Sequence, residues 1–212
     1  MATTTSQLER LTFFSDAVFA IAITLLVIEV HVPHLPTLDD ASNLQALREL
    51  VPSFMGFGLS FLTIGALWIA HHRVFGLLEE HDERLLWPNM LLLMVVAFMP
   101  FATALMSSAP LARVPEVFYA ATLLLAGLLQ LWLFRRALAP GRVRAEVPPE
   151  DVAALRWRSL GLPTAAALAL VTAFWLPAWS DFLLLTIPLL VRWYARLGRR
   201  RELRRLLVAP AA

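Results

Sequence analysis

The chain contains no cysteine, which excludes disulfides, thiolate metal sites and cysteine nucleophiles outright. Lysine is absent as well: all 18 basic residues are arginine, so the net charge is only +2 although the isoelectric point is near 9.9. There are two tyrosines, Tyr119 and Tyr194, and neither lies in a Thr-Val-Gly-Tyr-Gly loop, so a carbonyl-lined ion filter of that kind is missing. No His-x3-His pattern stands in for a metal enzyme. No internal inverted repeat is detectable, which counts against a repeat-built carrier. The polar stretch 1–9, followed by a long apolar segment with no small-residue cleavage site, carries no sign of a cleavable signal.

What is present is apolar surface. Hydrophobic residues make up 59% of the chain, and the mean hydropathy is +0.68, spread along the length as in an integral membrane protein. A bilayer core asks for about 20 mostly apolar residues per helix. Stretches 11–32, 51–72, 85–106, 114–134, 157–176 and 180–195 meet or approach that length. The expected fold is therefore an all-α integral membrane protein, one six-helix domain over 1–212. Arginine placement sets its orientation. With the N-terminus cytoplasmic, 16 of the 18 arginines fall inside, leaving Arg48 and Arg113 outside, as the positive-inside rule requires. Both termini are then cytoplasmic. Trp68, Trp87, Trp132, Trp157, Trp175, Trp179 and Trp193 fall near expected helix ends, as interfacial anchors do. The segment 139–151, with Pro140, Gly141, Pro148 and Pro149, reads as a polar linker, and the arginines from Arg196 to Arg205 as a basic helix end beside membrane lipid.

The first span carries the most unusual residues. It opens with Arg10, Phe14, Ser15 and Asp16, and polar groups inside a span are costly enough to mark a function or a buried network. At about 100° per residue, Ala17, Ile21, Thr24, Leu25 and Ile28 form one stripe, whereas Asp16 is turned roughly 140° from Ile21. If the stripe lines a pore, Asp16 faces neighbouring helices as a structural carboxylate, paired with Arg10 or a histidine because an unpaired buried charge is prohibitive. Ordinary helix packing would suit the same stripe, and Ser15 or Asp16 would equally suit a helix cap. His71 and His72 point about 100° apart on a helix. They make a poor chelating pair, despite the nearby acids Glu79, Glu80, Asp82 and Glu83, and hydrogen bonding is the expected role. Glu29, His31 and His34 mark the outer end of the first span, where Glu29 would either concentrate cations or be solvated. No metal, cofactor or nucleic acid is expected.

Arg10-x3-Phe14-Ser15-Asp16-Ala17, continued by Phe19-Ala20-Ile21-Ala22-Ile23-Thr24-Leu25-Leu26, resembles the signature of the transmembrane protein 175 family of potassium channels. The resemblance extends through Trp68-x2-His71-His72-x2-Phe75, Asp82, Asn89 and Pro100-Phe101. It implies a homotetramer with one six-helix unit per chain, arranged around four copies of the first helix. It further implies an apolar constriction at Ile21, further rings at Leu25 and Ile28, and a hydroxyl ring at Thr24. Arg10, Phe14, Ser15 and Asp16 would belong to an interhelical network with Trp68, His71, His72 and Asn89. The implied activity is passive, weakly selective potassium conduction across the cell membrane. The competing reading is a proton- or ion-coupled secondary transporter that uses Asp16 and the histidines.

Overall fold

The computed structural model describes residues 2–33, 39–79 and 82–208, with side chains from residue 7 onward; His34 and Glu80 lie outside the described residues. The described chain is almost wholly helical. Its helices are α1 (Ala2–Leu25), α2 (Asp40–Glu49), α3 (Val51–Phe75), α4 (Leu86–Ser108), α5 (Arg113–Ala137), α6 (Pro149–Arg158), α7 (Gly161–Trp175), α8 (Pro177–Leu184) and α9 (Ile187–Val208). Among the described residues five segments are long and apolar enough to cross a membrane: Gln7–Glu29, Val51–Phe75, Glu83–Ser108, Arg113–Ala137 and Pro149–Trp175. The first four expected spans agree with these within a few residues. The short helix α2, opened by Asp39 accepting from the Ser42 N–H at 3.0 Å, joins the first two and was not foreseen.

The last two expected spans differ in detail. Stretch 157–176 begins inside α6, turns at residues 159–160 and continues as α7. That helix stops at Trp175, because Leu176 precedes Pro177 and is held extended at φ −137° and ψ 68°, as a following proline demands. Stretch 180–195 is not one helix. Pro188 has no N–H to offer the Leu184 carbonyl, and its ring would collide with that carbonyl in a continuous helix. The chain therefore ends α8 at Leu184 and restarts at Ile187, with Pro188 tolerated in the first turn of α9.

α1 packs on α3 and α4, α5 on α4 and α7, and α6 on α9. The close approach of α5 to α7 depends on Gly127, where an added Cβ would lie 2.9 Å from the Pro163 nitrogen. The linker after α5 is pinned rather than loose. Gly141 turns the chain at φ +78°, Leu78 and Val143 form an isolated antiparallel bridge, and Arg142 pairs with Asp82. The arginine-rich end of α9 also has a partner: the Arg201 guanidinium lies 4.5 Å from the Trp157 ring of α6, and Arg199 reaches Asp151 at 3.6 Å.

Candidate functional site: the exposed face of the first helix and its anchor

Helix α1 has two faces of opposite character. Leu8, Leu11, Ser15, Phe19, Ala22 and Leu26 are buried against the rest of the chain, at the three- and four-residue spacing that one side of a helix requires. On the other side Phe14, Ala17, Ile21, Thr24, Leu25 and Ile28 are exposed. Ile21 is 57% accessible and Ile28 66%, so nothing in the subunit covers this apolar line. After Leu25 the helix tightens to a 3-10 turn over Leu26–Glu29. At about three residues per turn Ile28 falls directly above Leu25, which keeps the line straight at its C-terminal end. The Thr24 hydroxyl donates to the Ile21 carbonyl at 2.9 Å. Its only proton is thereby committed to the helix, and its lone pairs are left to the exposed side.

The buried face is held by polar groups. His71 Nε2 lies 2.8 Å from Asn89 Oδ1, the Asn89 amide Nδ2 donates to Ser15 Oγ at 2.9 Å, and Ser15 Oγ donates to the Leu11 carbonyl at 2.8 Å. All three side chains are fully buried. Since an amide oxygen only accepts, the chain runs in one direction: imidazole N–H to amide, amide N–H to hydroxyl, hydroxyl to backbone. The His71 ring is stacked on Phe75 at 4.0 Å and lies 5.5 Å from Phe19.

Asp16 is engaged one residue further round α1. Trp68 Nε1 donates to its Oδ1 at 2.8 Å, and His72 Nδ1 stands 3.7 Å from its Oδ2. The acid thus turns toward α3 and away from the Ile21 line, and its partner is the histidine rather than Arg10. The two adjacent histidines address different residues because they point about 100° apart. His72, with Trp68 one turn before it, meets Asp16; His71, with Phe75 one turn after it, reaches Ser15 through Asn89.

Arg10 and Phe14 are not brought into this cluster. Both are exposed, on the same side of α1 as Ile21, because 7 and 11 residues are nearly whole numbers of turns. Glu29 does not extend the apolar line. It borders a narrow cleft with Ser53 and Ser107 of α3 and α4, while His31 Nδ1 contacts the Glu29 carbonyl at 3.0 Å.

Further buried polar contacts were not anticipated. Ser60 Oγ lies 2.8 Å from Tyr119 OH and 2.7 Å from Thr103 Oγ1, tying α3, α4 and α5 together. Ser180 Oγ donates to Glu116 Oε2 at 2.9 Å, tying α8 to α5. The available signal was a polar residue inside an apolar run, as at Thr103 and Glu116; nothing local identified the partners.

The sequence profile of the family described as "Endosomal/lysosomal potassium channel TMEM175" matches residues 10–100, the part of the chain that holds the Ile21 line and the side chains of Ser15, Asp16, Trp68, His71, His72 and Asn89. A potassium channel of Chamaesiphon minutus is 39% identical over 144 residues, covering 66% of this chain and 71% of that protein. A potassium channel of Streptomyces collinus is 34% identical over 174 residues, covering 77% and 83%. The crystal structure of a lysosomal potassium-selective channel TMEM175 homolog from Chamaesiphon minutus superposes with a TM-score of 0.73 at 32% identity, covering 91% of this chain and 98% of that one. With relatives this similar over more than two thirds of their length, the chain belongs to the TMEM175 family of ion channels.

Proposed function

We propose that the protein is a passive potassium channel of the cell membrane, built as a homotetramer in which four copies of α1 line the pore. The observation that carries this reading is the straight, uncovered apolar line of Ile21, Leu25 and Ile28 on a helix whose opposite face is anchored by buried hydrogen bonds. A helix left to lipid has no need of such anchoring. A helix that must hold a constriction of fixed width does. Each chain contributes six spans with both ends cytoplasmic, the sixth being α8 followed by the first turns of α9. Potassium ions and membrane lipid are the partners.

In this pore the constriction is a ring of Ile21 side chains, followed by rings of Leu25 and Ile28. Such rings offer an ion no oxygen, so they act by dewetting and by the dehydration that a narrow bore imposes. Potassium gives up water more readily than sodium, which yields a modest preference. Thr24 sits between the apolar rings with free lone pairs and supplies partial replacement oxygens. Ser15, Asp16, Trp68, His71, His72 and Asn89 set the position of α1 from its far side and make no contact with the ion; Arg10 and Phe14, on the Ile21 side, set it at contacts between subunits.

The experiment is reconstitution of the purified protein in planar bilayers, with reversal potential recorded under a potassium/sodium gradient. A current reversing toward the potassium potential is expected, with larger conductance and weaker selectivity in Ile21→Asn. A well-folded oligomer that is silent at all voltages, or a current unaltered by that substitution, refutes the assignment.

A further inference from the structure

Away from the exposed face of α1, a cavity of about 170 Å³ opens between α3, α5, α6, α7 and α9. Its wall on α3 is formed by Thr63, Ala66, Leu67, Ala70 and Arg73, one side of the helix over ten residues, or about 15 Å of axis. That is half the thickness of a bilayer's hydrocarbon core, about 30 Å. The remaining walls are mostly apolar, with Phe134, Leu162 and Val191 among them, and two guanidiniums, Arg73 and Arg158, line the same cavity. Arg73 is exposed and Arg158 half-buried. Among the described residues neither is paired with a carboxylate, although Arg142, Arg199 and Arg205 all are.

We infer that this cavity seats the headgroup end of one anionic phospholipid, its phosphate between Arg73 and Arg158 and the first stretch of one acyl chain along Leu67, Phe134, Leu162 and Val191, with the rest of the lipid outside it. Charge complementarity decides the class: an apolar slot one leaflet deep, closed at its polar end by two unpaired cations, matches a phosphate carrying a hydrocarbon chain. Arginine suits this role because its planar fork meets phosphate oxygens with two bonds at once. The slot has room for a short stretch of hydrocarbon, since an apolar cavity of about 150 Å³ accommodates benzene. A zwitterionic lipid fits the same slot with less electrostatic gain.

The test is native mass spectrometry of the intact oligomer from nanodiscs of phosphatidylglycerol, of phosphatidylcholine, or of both, counting lipid retained per subunit during delipidation. The expected result is retention of phosphatidylglycerol in preference to phosphatidylcholine. Affinity should fall about five-fold for each of Arg73→Gln and Arg158→Gln. Ala70→Phe fills the slot without touching the charges and should abolish retention. Equal retention of both lipids, or no effect of any of the three variants, overturns the proposal. Displacement by inorganic phosphate together with an intact anion site in Ala70→Phe also overturns it, and identifies a free-phosphate site. A lipid-free oligomer whose mass changes in the cavity variants overturns it by showing a contact between copies. Because lipid is read by mass, the result is independent of conduction.

Discussion

Replacing Asn89 by leucine tests the anchor of α1 most directly. The amide joins three helices through two buried hydrogen bonds, one from His71 at 2.8 Å and one to Ser15 at 2.9 Å. Leucine has similar bulk, so packing is conserved and the loss is chiefly polar. In water-soluble proteins a buried donor left without a partner costs about 1–3 kcal/mol. Within a membrane the measured worth of a hydrogen bond between helices is smaller, about 0.6 kcal/mol on average and about 1.7 at most, because the separated helices find other partners. Two such bonds give a loss of about 1–3 kcal/mol, with the membrane value preferred because all three residues sit inside the spans. Ser15→Ala removes the bond from Asn89 together with the local one to the Leu11 carbonyl and should cost about 1 kcal/mol; in the Asn89→Leu background only the local bond to Leu11 is left to lose, so the cost should be smaller. The assay is equilibrium unfolding in bicelles or mixed micelles, run as a double-mutant cycle. Fully additive losses, or an Asn89→Leu protein as stable as the parent, would refute the directed chain from His71 through Asn89 to Ser15.

Other perturbations probe separate parts of the fold. Gly127→Ala brings a Cβ to 2.9 Å from the Pro163 backbone, which cannot yield as a flexible side chain would; a loss of about 1–3 kcal/mol should appear as a lower unfolding midpoint. Gly198→Ala drives a Cβ to 2.6 Å from the Trp157 ring and should part α9 from α6, read as faster hydrogen exchange in 149–158 with α1, α3, α4 and α5 unaffected. Trp68→Phe keeps the aromatic body but removes the donor to Asp16; oligomer stability should fall while the potassium/sodium reversal potential stays, and a changed reversal potential would place Asp16 at the ion path. The hydrogen bonds from Ser42 hold the Asp39 carboxyl below its ordinary range. A group lowered in this way stabilises the folded form above its unfolded pKa, about 3.9, and the benefit disappears as pH falls through the folded value. Amide protection at the start of α2 should accordingly weaken below about pH 4 and be independent of pH in Asp39→Ala.

Much of α1 was legible from its residues. A period of 3.6 residues places Ile21, Leu25 and Ile28 on one line and turns Asp16 away from it whatever the neighbours are, because the backbone alone sets that geometry. The first four spans were legible for a similar reason: about 20 apolar residues in a row must cross a membrane or be buried. Proline local effects were half visible. Pro177 and Pro188 were plain in the sequence, yet the restart at Ile187 depends on which carbonyl lies one turn before the ring. Tertiary structure alone decided the partners. Ser15 and Asn89 are 74 positions apart, Ser60 and Tyr119 are 59 apart, and no local preference links such pairs; their pairing follows from how α1, α3, α4 and α5 pack. The same holds for the exposure of Arg10 and Phe14, which share a motif with Ser15 and Asp16 but stand on the other side of the helix. A motif records which residues occur together along the chain, whereas burial is settled by the face on which each residue meets its neighbours.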